Sequence, residues 1–364
     1  MLKISSFKKF LDNTEKKHIV CFGVGKYITN LYHFNCNQLL SRINILIDNN
    51  KEKQGKKYIL NGKVYDIMHP SVLQSLDSNK YIILITCLAE EVLLKQLEED
   101  EQLSKFDVYC LRHFNVLFND YLALQKKVPE NLRISDRQLI PKKIHYCWFG
   151  KKPIPDCFNK YMESWREHCP DYEIIEWNES NYDVTKNNFM KEAYQLKKWG
   201  FVTDYARMDI IYNEGGIYLD TDVEIIQNID DLLYQKGFMG FQDSYWVASG
   251  LGFGAVAGLP IIKNFRDTYN NLIFDVKNIS NLTCPKIQTE DLRRKGLVPN
   301  GECQIIDDLT IYPEKMLCGK SYSTMQVSLA PYTRMIHHFA GSWCDAEVLK
   351  RVDDRTKVFA DIKE

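Results

Sequence analysis

The sequence predicts an α/β fold with two domains, and three observations lead to this prediction. Strand-like and helix-like segments alternate over roughly the first 115 of the 364 residues. A second alternating region starts near residue 140, after a polar stretch that contains several lysines. In that region an apolar strand over residues 217–219 runs directly into two carboxylates, Asp220 and Asp222. The chain is also longer than one modest core supports, which favours two domains.

Composition and charge are those of an ordinary soluble globular protein. The hydrophobic fraction is 45%, the charged fraction is 26% and the net charge is −1. Because this balance gives no general attraction to polyanions, no nucleic-acid partner is expected. No apolar run approaches the roughly 20 residues of a membrane helix, and the N-terminus lacks a signal-peptide pattern. Eleven cysteines without an export signal predict reduced thiols and a cytoplasmic location.

The first predicted domain, residues 1–115, is a small parallel α/β domain. Strands are predicted over residues 18–22, 43–48, 81–86 and 107–110, and helices over 27–40 and 91–97. Gly23 and Gly25 follow the first strand and Asp48 ends the second, which partly matches a dinucleotide-binding fingerprint. Ile28 stands where the third glycine would be, and the same glycines serve any tight strand-to-helix turn. Cofactor binding and a simple turn therefore both stay open here.

A linker or bridging helix is predicted over residues 116–139, and a second α/β domain over residues 140–364. Side chains alternate along a strand, so Asp220 and Asp222 converge on one point if the extended geometry persists. Two like charges brought together are stabilised by a cation, and hard oxygen ligands suit Mg²⁺ or Mn²⁺. The alternative is a polar exit from the strand, where aspartate is common.

Four motifs of the second domain together resemble family-32 glycosyltransferases, the group of capsular polysaccharide and Och1-like sugar transferases. The motifs are IPKKIHYCWFG at 140–150, TDYARMDIIY at 203–212, GGIYLDTD at 215–222 and HHFAGSW at 337–343. More distantly, they resemble the glucosyltransferase domain of large clostridial toxins. The resemblance implies a GT-A fold, a nucleotide-sugar donor, a divalent metal and retention of the anomeric configuration. The first domain resembles the small Rossmann-like domains appended to bacterial sugar-modifying enzymes.

The resemblance also implies a set of donor-binding residues. Trp148 would stack on the uracil of the donor. Asp204 would bind hydroxyls of the donor sugar, and Arg207 would lie near the sugar or the diphosphate. Ser342 and Trp343 would belong to a closing segment that touches the diphosphate and excludes water. The alternatives are a core position for the Trp148 ring and an ordinary helix salt bridge between Asp204 and Arg207.

The same resemblance implies a metal site. Asp220 would bridge the sugar or ribose and the water shell of the metal, and Asp222 would bind the metal directly. Tyr218 shares a strand face with Asp220 and would line the donor pocket, with a core tyrosine as the alternative. His337 and His338 lie near the position where this fold supplies a third metal contact, and His338 is preferred over His337 as the ligand, with a buried, hydrogen-bonded histidine as the alternative. Imidazole suits Mn²⁺ better than Mg²⁺.

The predicted function is transfer of a hexose or N-acetylhexosamine from a UDP-sugar to a saccharide acceptor, with Asp220, Asp222 and Arg207 as catalytic residues. The predicted setting is synthesis of bacterial capsule, O-antigen or another surface polysaccharide. Acceptors of bacterial relatives are often lipid-linked at the inner membrane face, so peripheral membrane contact is expected. One alternative stays open, a non-catalytic nucleotide-sugar-binding module of a polysaccharide assembly complex. A metal-dependent phosphoesterase lacks support, because such sites need further His and Asp ligands at defined spacings and the sequence offers only His337 and His338. Slow hydrolysis of the donor in the absence of acceptor would distinguish an enzyme from a non-catalytic binding module.

Overall fold

A computed structural model describes most of the chain. The described residues are 2–3, 5, 7–34, 37–341, 356–357 and 359. The chain divides into two compact units, Met1–Asp120 with Thr356–Glu364, and Tyr121–Arg355. Among the described residues, no helix is both long and apolar enough to cross a lipid bilayer.

The first unit is built on a six-stranded, mostly parallel sheet. Its strands are β1 (His18–Phe22), β2 (Ile43–Ile47), β3 (Lys57–Leu60), β4 (Lys63–Met68), β5 (Tyr81–Ile85) and β6 (Val108–Cys110). The order across the sheet is β3-β4-β2-β1-β5-β6, and each neighbouring pair is parallel except the β3–β4 hairpin. The parallel strands therefore follow the order of a doubly wound sheet. The predicted parallel α/β sheet is confirmed.

Both faces of this sheet are buried, which explains its continuous apolar strands. Ile19 and Cys21 of β1 belong to one apolar cluster, and Val20 and Phe22 belong to another. Parallel sheets covered on both faces typically have such uninterrupted apolar runs. The α-helices that begin in this part of the chain are α1 (Phe7–Asn13), α2 (Asn37–Ser41), α3 (Glu90–Glu98) and α4 (Leu111–Leu124).

The first unit differs from the predicted elements in two places. A 3₁₀ helix spans Lys26–Phe34, where the sequence predicts an α-helix. Ile28 and Leu31 are both fully buried, and residues three apart lie on one side of a 3₁₀ helix. The β3–β4 hairpin is absent from the sequence prediction, although Asn61 and Gly62 supply its turn with φ of 49° and 74°. An Asn-Gly pair is the strongest short-range hairpin signal, so this element was predictable.

The second unit is built on a larger mixed sheet and a separate two-stranded ribbon. Its strands are β7 (Lys143–Cys147), β8 (Glu173–Trp177), β9 (Gly216–Tyr218), β10 (Val223–Ile225), β11 (Gly237–Phe241), β12 (Val247–Ala248), β13 (Phe253–Ala255), β14 (Gln304–Ile306), β15 (Leu309–Tyr312) and β16 (Met335–His337). The sheet order is β14-β15-β11-β13-β9-β7-β8, with β12 paired to β11, and β10 pairs with β16 in the ribbon. Because β7 runs parallel to β8 and β9, the chain leaves all three strands at the same sheet edge.

The helices of the second unit are α5 (Asp156–His168), α6 (Asn188–Gln195), α7 (Trp199–Glu214), α8 (Pro260–Thr268), α9 (Cys284–Arg294) and α10 (Glu314–Leu317). Most of α7 is buried, including three of its charged residues, Asp204, Arg207 and Asp209. Gly215 and Gly216, with φ of 66° and 98°, turn the chain from α7 into β9. This left-handed geometry favours glycine. The predicted α/β class is confirmed, and the second unit is consistent with a GT-A-like fold.

Candidate functional site

Two carboxylates and one imidazole meet at an edge of the second unit's sheet. Asp220 and Asp222 lie between β9 and β10, and His337 ends β16. One ligand atom from each of the three side chains lies within 4.8 Å of the other two. His337 Nε2 is 3.3 Å from Asp222 Oδ1 and 4.0 Å from Asp220 Oδ2. Within the described part of the chain, these three residues form the candidate metal site.

The two carboxylates converge for a reason different from the predicted one. The prediction relied on an extended chain through Asp222, but β9 ends at Tyr218 and β10 begins at Val223. The chain turns between these strands, and the Val223 amide donates to the Asp220 carbonyl at 3.0 Å. β10 then pairs with β16 in a register that places His337 opposite Val223. A turn and a ribbon, rather than strand alternation, therefore assemble the site.

The charges at this site fit a divalent cation. Burial alone would raise the pKa of Asp222, but His337 and the Ala340 amide, 2.8 Å from Oδ2, lower it to about 2. Burial alone would lower the pKa of His337, but Asp222 and Asp220 outweigh burial and raise it. A bound cation would take the place of the imidazole proton and relieve the repulsion between the carboxylates. Two carboxylates and an imidazole form a ligand set that suits Mn²⁺.

A buried guanidinium borders the carboxylate pair. Arg207, with 4% of its side chain exposed, donates from Nη2 to Asp204 Oδ1 at 2.6 Å and to Thr203 Oγ1 at 3.0 Å. Its Nη1 lies 3.5 Å from Asp220 Oδ1 and makes no hydrogen bond to any residue that the structure describes. A buried donor without a partner is costly. A ligand oxygen placed there would bind without displacing a protein hydrogen bond.

Asp204 and Tyr218 form the buried side of the site. Burial raises the pKa of Asp204 to about 6, although the neighbouring Arg207 acts to lower it. The Tyr218 hydroxyl donates to Asp220 Oδ1 at 3.0 Å, and the guanidinium of Arg207 lies 5.2 Å from the centre of its ring. Only 1% of Tyr218 is exposed. Tyr218 therefore supports Asp220 and Arg207 from the core, which is the alternative that the sequence left open beside a position on the wall of the donor pocket.

Trp148 is the other predicted donor-binding residue that the structure describes. Trp148 directly follows β7, so it leaves the same sheet edge as the strand before Asp220. Its indole N–H donates to the Lys152 carbonyl at 2.6 Å, and the side chain lines an open cavity of about 510 Å³. A partly exposed indole can stack on a flat ligand ring, so stacking on uracil stays a prediction. Ser342 and Trp343 lie outside the described residues, and their roles also stay predictions.

The preference for His338 over His337 as the third metal ligand is corrected by the structure. His338 Nε2 lies 2.8 Å from Glu224 Oε2, and its ring stacks on Tyr161 with 3.9 Å between the ring centroids. Neighbouring residues of a strand point to opposite faces, so His338 turns away when His337 faces the carboxylates. Which of the two histidines faces the carboxylates depends on the register of β16 against β10, and this register cannot be predicted from the local sequence.

Two contacts that sequence reasoning missed hold the chain after β16 against the carboxylates. The Ala340 amide donates to Asp222 Oδ2 at 2.8 Å, and Lys320 Nζ donates to the His338 carbonyl at 2.9 Å. Burial lowers the pKa of Lys320, with Asp222 acting to raise it. No local pattern marks these residues, because one acts through its backbone and the other through a contact distant in sequence.

A family model identifies the class of this region. Residues 155–239 match the model described as the glycosyltransferase sugar-binding region containing the DXD motif. The matched segment contains Asp204, Arg207, Asp220 and Asp222, which the structure brings together. The chain therefore carries a sugar-binding region of the glycosyltransferase class.

Particular relatives belong to the same class. An uncharacterised glycosyltransferase of Acanthamoeba polyphaga mimivirus is 26% identical, with the match covering 48% of this chain and 74% of the viral protein. Inositol phosphoceramide mannosyltransferase 2 of Schizosaccharomyces pombe is 28% identical, covering 43% of this chain and 49% of the yeast protein. The solved structure of PaToxG glycosyltransferase is 19% identical, covers 50% of this chain and 76% of that chain, and has a TM-score of 0.33. The chain thus spans about half the length of the yeast relative.

Proposed function

We propose that the protein is a retaining, metal-dependent glycosyltransferase. It moves a hexose or N-acetylhexosamine from a UDP-sugar to a saccharide acceptor. The observation that carries this proposal is the convergence of Asp220, Asp222 and His337 beside Arg207, whose Nη1 bonds to none of the described residues. The family match of residues 155–239 supports it independently, because that match comes from sequence and not from geometry.

Asp222 and His337 are the proposed direct metal ligands, and Asp220 is the proposed contact to the metal or to its water. When bound, a divalent cation neutralises charge on the diphosphate of a nucleotide-sugar. Mn²⁺ is the better fit to an imidazole ligand, and Mg²⁺ is the second candidate. The charged pair of Asp222 and His337 predicts that metal binding releases a proton from the imidazole.

Arg207 is proposed to stabilise the donor through Nη1. Its guanidinium stays charged when buried, and Thr203 and Asp204 already hold it in place, so little reorganisation is needed. During transfer, the bond from the anomeric carbon to the diphosphate oxygen breaks and a bond to the acceptor oxygen forms. The acceptor proton passes to the departing diphosphate. Same-face attack is proposed because Asp204 and Asp220 are engaged with Arg207 and Tyr218, rather than presented as nucleophiles.

The wider role is proposed from the resemblance of the motifs to capsular polysaccharide transferases. It is synthesis of bacterial capsule, O-antigen or another surface polysaccharide, at the inner face of the cell membrane on a lipid-linked acceptor. The yeast relatives are named for transfer to inositol phosphoceramide, so a glycolipid headgroup is the second acceptor class to test. A non-catalytic nucleotide-sugar-binding module is the competing proposal, and donor turnover distinguishes the two.

The deciding experiment is a panel of UDP- and GDP-sugars, each with and without Mn²⁺ or Mg²⁺, on wild type and Asp222→Ala. Thermal stabilisation reports binding, and release of nucleoside diphosphate reports slow hydrolysis. We expect one donor to give metal-dependent stabilisation and turnover, both lost in Asp222→Ala. Asp136→Ala removes an exposed acid of the same unit and should behave as wild type. Stabilisation without turnover would favour the binding module, and a response indifferent to Asp222→Ala would reject the metal site.

A further inference from the structure

The loop over residues 242–246, between β11 and β12, lies at the sheet edge that carries the candidate metal site. β13 is antiparallel to both β9 and β11, so β9 and β11 run in the same direction. Ile217 of β9 and Phe238 of β11 both pair with Gly254, so the two strands are level. One strand separates them, which places the end of β11 about 10 Å from the end of β9. The loop after β11 therefore projects from the same edge as Asp220.

Two aromatic residues at the end of this loop form a partly exposed pair. Tyr245 is 38% exposed, Trp246 is partly buried, and their ring centroids are 4.6 Å apart with 74° between the ring planes. The Asp243 carboxylate holds the loop, because its Oδ1 accepts from the amides of both residues at 2.8 Å. A tyrosine and a tryptophan held in this way offer a large contact area at a low cost in conformational entropy.

Helix α9 places charged groups beside the aromatic pair. Arg293 Nη1 donates to the Tyr245 hydroxyl and to Glu290 Oε1, both at 2.9 Å. The Tyr245 hydroxyl accepts this bond and keeps its own hydrogen for a ligand. The side chains of Arg293 and Glu290 are 41% and 42% exposed, so a ligand can reach them. Aromatic faces next to a hydroxyl, a guanidinium and a carboxylate match a pyranose, which has apolar C–H faces and a rim of hydroxyls.

The same helix also holds the segment that joins the loop to the candidate site. Gln288 is fully buried, accepts from the Ser249 amide at 3.0 Å and donates to Ser249 Oγ at 2.8 Å. A Cβ at Gly250 would lie only 2.8 Å from Asp220 Oδ2, so the chain after β12 packs tightly against this carboxylate. The aromatic pair and the metal site are therefore joined by a continuous packed segment.

We propose that Tyr245 and Trp246 bind a saccharide unit of the acceptor, with Arg293 and Glu290 contacting its hydroxyls. The acceptor role rests on the proposed function. Trp148, the predicted contact of the nucleotide, follows β7 on the other side of β9, so donor and acceptor would approach the metal site from opposite sides. A separation of about 10 Å exceeds one sugar ring, so the bound unit would lie inside the acceptor chain and not at its reacting end. The acceptor class is therefore an oligosaccharide.

The test measures saccharide binding and donor hydrolysis separately. Mono- to tetrasaccharides of glucose, galactose, mannose and N-acetylglucosamine are titrated by calorimetry against wild type, Tyr245→Ala and Trp246→Ala. We expect wild type to bind at least one oligosaccharide more tightly than the corresponding monosaccharide. Truncation of an aromatic anchor predicts about 10- to 30-fold weaker binding of that oligosaccharide. Release of nucleoside diphosphate from the donor without acceptor should keep the wild-type rate in both variants.

Two further variants keep the test decisive. Tyr245→Phe keeps the ring but loses the hydroxyl, and it should weaken oligosaccharide binding about 2- to 10-fold. Tyr121→Ala removes another exposed tyrosine, on α4, and should bind the oligosaccharide as wild type does. If Tyr245→Ala and Trp246→Ala do not fold, unchanged binding in Tyr245→Phe overturns the inference.

The results that overturn the saccharide site differ from those that overturn the proposed function. Absence of binding to every saccharide, equal weakening in Tyr121→Ala, or a parallel loss of donor hydrolysis would overturn the saccharide site. Tyrosine and tryptophan also favour lipid interfaces. Binding of the aromatic pair to vesicles of phosphatidylcholine and phosphatidylglycerol, in place of saccharides, would therefore overturn it as well. If wild type hydrolyses no donor while the pair still binds an oligosaccharide, the proposed function fails and the saccharide site stands.

Discussion

Each unit places glycine and aspartate at the ends of parallel strands, yet the two arrangements differ in what they leave free. In the first unit Asp48 Oδ2 accepts from the Val24 amide at 2.7 Å and from Lys53 Nζ at 3.0 Å. A Cβ at Gly23 would lie 2.8 Å from the sulfur of Cys87, so that side chain covers the glycine turn. The aspartate of the partial dinucleotide-binding fingerprint, Asp48, is therefore already bonded to groups of its own unit.

The second unit leaves its polar groups available. Within the described ranges Arg207 Nη1 has no hydrogen-bond partner, and the Asp220 carboxylate lies beside a second carboxylate and an imidazole. Burial raises the pKa of Asp220, and Arg207 opposes that rise. The difference is that Asp48 bonds to groups of its own turn, whereas Asp220 lies beside a second carboxylate and an imidazole that can share a cation with it. In the first unit the same combination of glycine and aspartate stabilises a turn.

Replacing Arg207 by lysine should have the largest effect on donor hydrolysis. Arg207→Lys keeps the positive charge but loses the fork that joins Thr203, Asp204 and the free position at Nη1. We expect kcat/KM for donor hydrolysis to fall about 10²- to 10³-fold, as when one preorganised donor is removed from an active site. Steady-state kinetics measure the loss. Arg133→Lys changes an exposed arginine of the same unit and should have no effect; wild-type turnover in Arg207→Lys would reject its role.

Acid should distinguish the two glycine turns. The Gly215 carbonyl is 3.0 Å from His145 Nε2, and His145 Nδ1 accepts from the Trp177 indole, so the buried ring is neutral. The corresponding Gly23 carbonyl accepts from Thr86, which does not titrate. Burial lowers the pKa of His145 to about 4, whereas the pKa in the unfolded chain is near 6.5. Between these two values the unfolded chain therefore binds more protons than the folded chain.

Stability from His145 is therefore complete above pH 6.5 and is lost as pH falls toward 4. The expected loss is about 3 kcal/mol in the free energy of unfolding of the second unit. Urea unfolding followed by tryptophan fluorescence at pH 7.5 and pH 4.5 measures it. In His145→Gln this part of the pH dependence should vanish. A pH dependence equal to that of wild type in His145→Gln would show that other groups carry it.

Asp48→Asn should produce the smallest effect and should change stability alone. The amide keeps one acceptor oxygen for Val24 and Lys53, but it loses the charge that faces Lys53 and places an NH₂ donor where the Asn50 amide donates at 2.8 Å, which costs about 1 to 2 kcal/mol in unfolding free energy. Donor hydrolysis should be unchanged. Chemical denaturation and the donor assay measure the two quantities. Asp66→Asn removes an exposed strand acid and serves as the control. Loss of donor turnover in Asp48→Asn would mean that the first unit contributes to the reaction.

Much of the fold could be predicted because strand and helix periods are local. The strands ending at Ile47 and Ile85 follow continuous apolar runs, as buried parallel strands do. The hairpin at Asn61 and Gly62 was missed although its turn signal is local and strong. Sheet order was beyond prediction, because the pairing of β11 with β15 joins segments far apart in the chain.

The candidate site could be predicted only where its residues share one local segment. Asp204 and Arg207 are three residues apart on α7, and the sequence places them on one helix face. The choice of His337 over His338 needed the register of β10 against β16. The buried position of Tyr218 depended on tertiary packing that covers its ring. The residue types of the site could thus be predicted from local motifs, whereas the direction of each side chain depended on pairing between distant segments.

The β10–β16 ribbon also determines when the site can form during synthesis. Asp222 and the Ala340 amide that binds it are 118 residues apart in sequence. A growing chain therefore carries its acidic turn for some time before the strand that supplies His337 leaves the ribosome. Contacts between such distant segments form late, because closing a long loop costs entropy before any contact compensates it. The nascent polypeptide should therefore complete the candidate metal site as one of its last folding events.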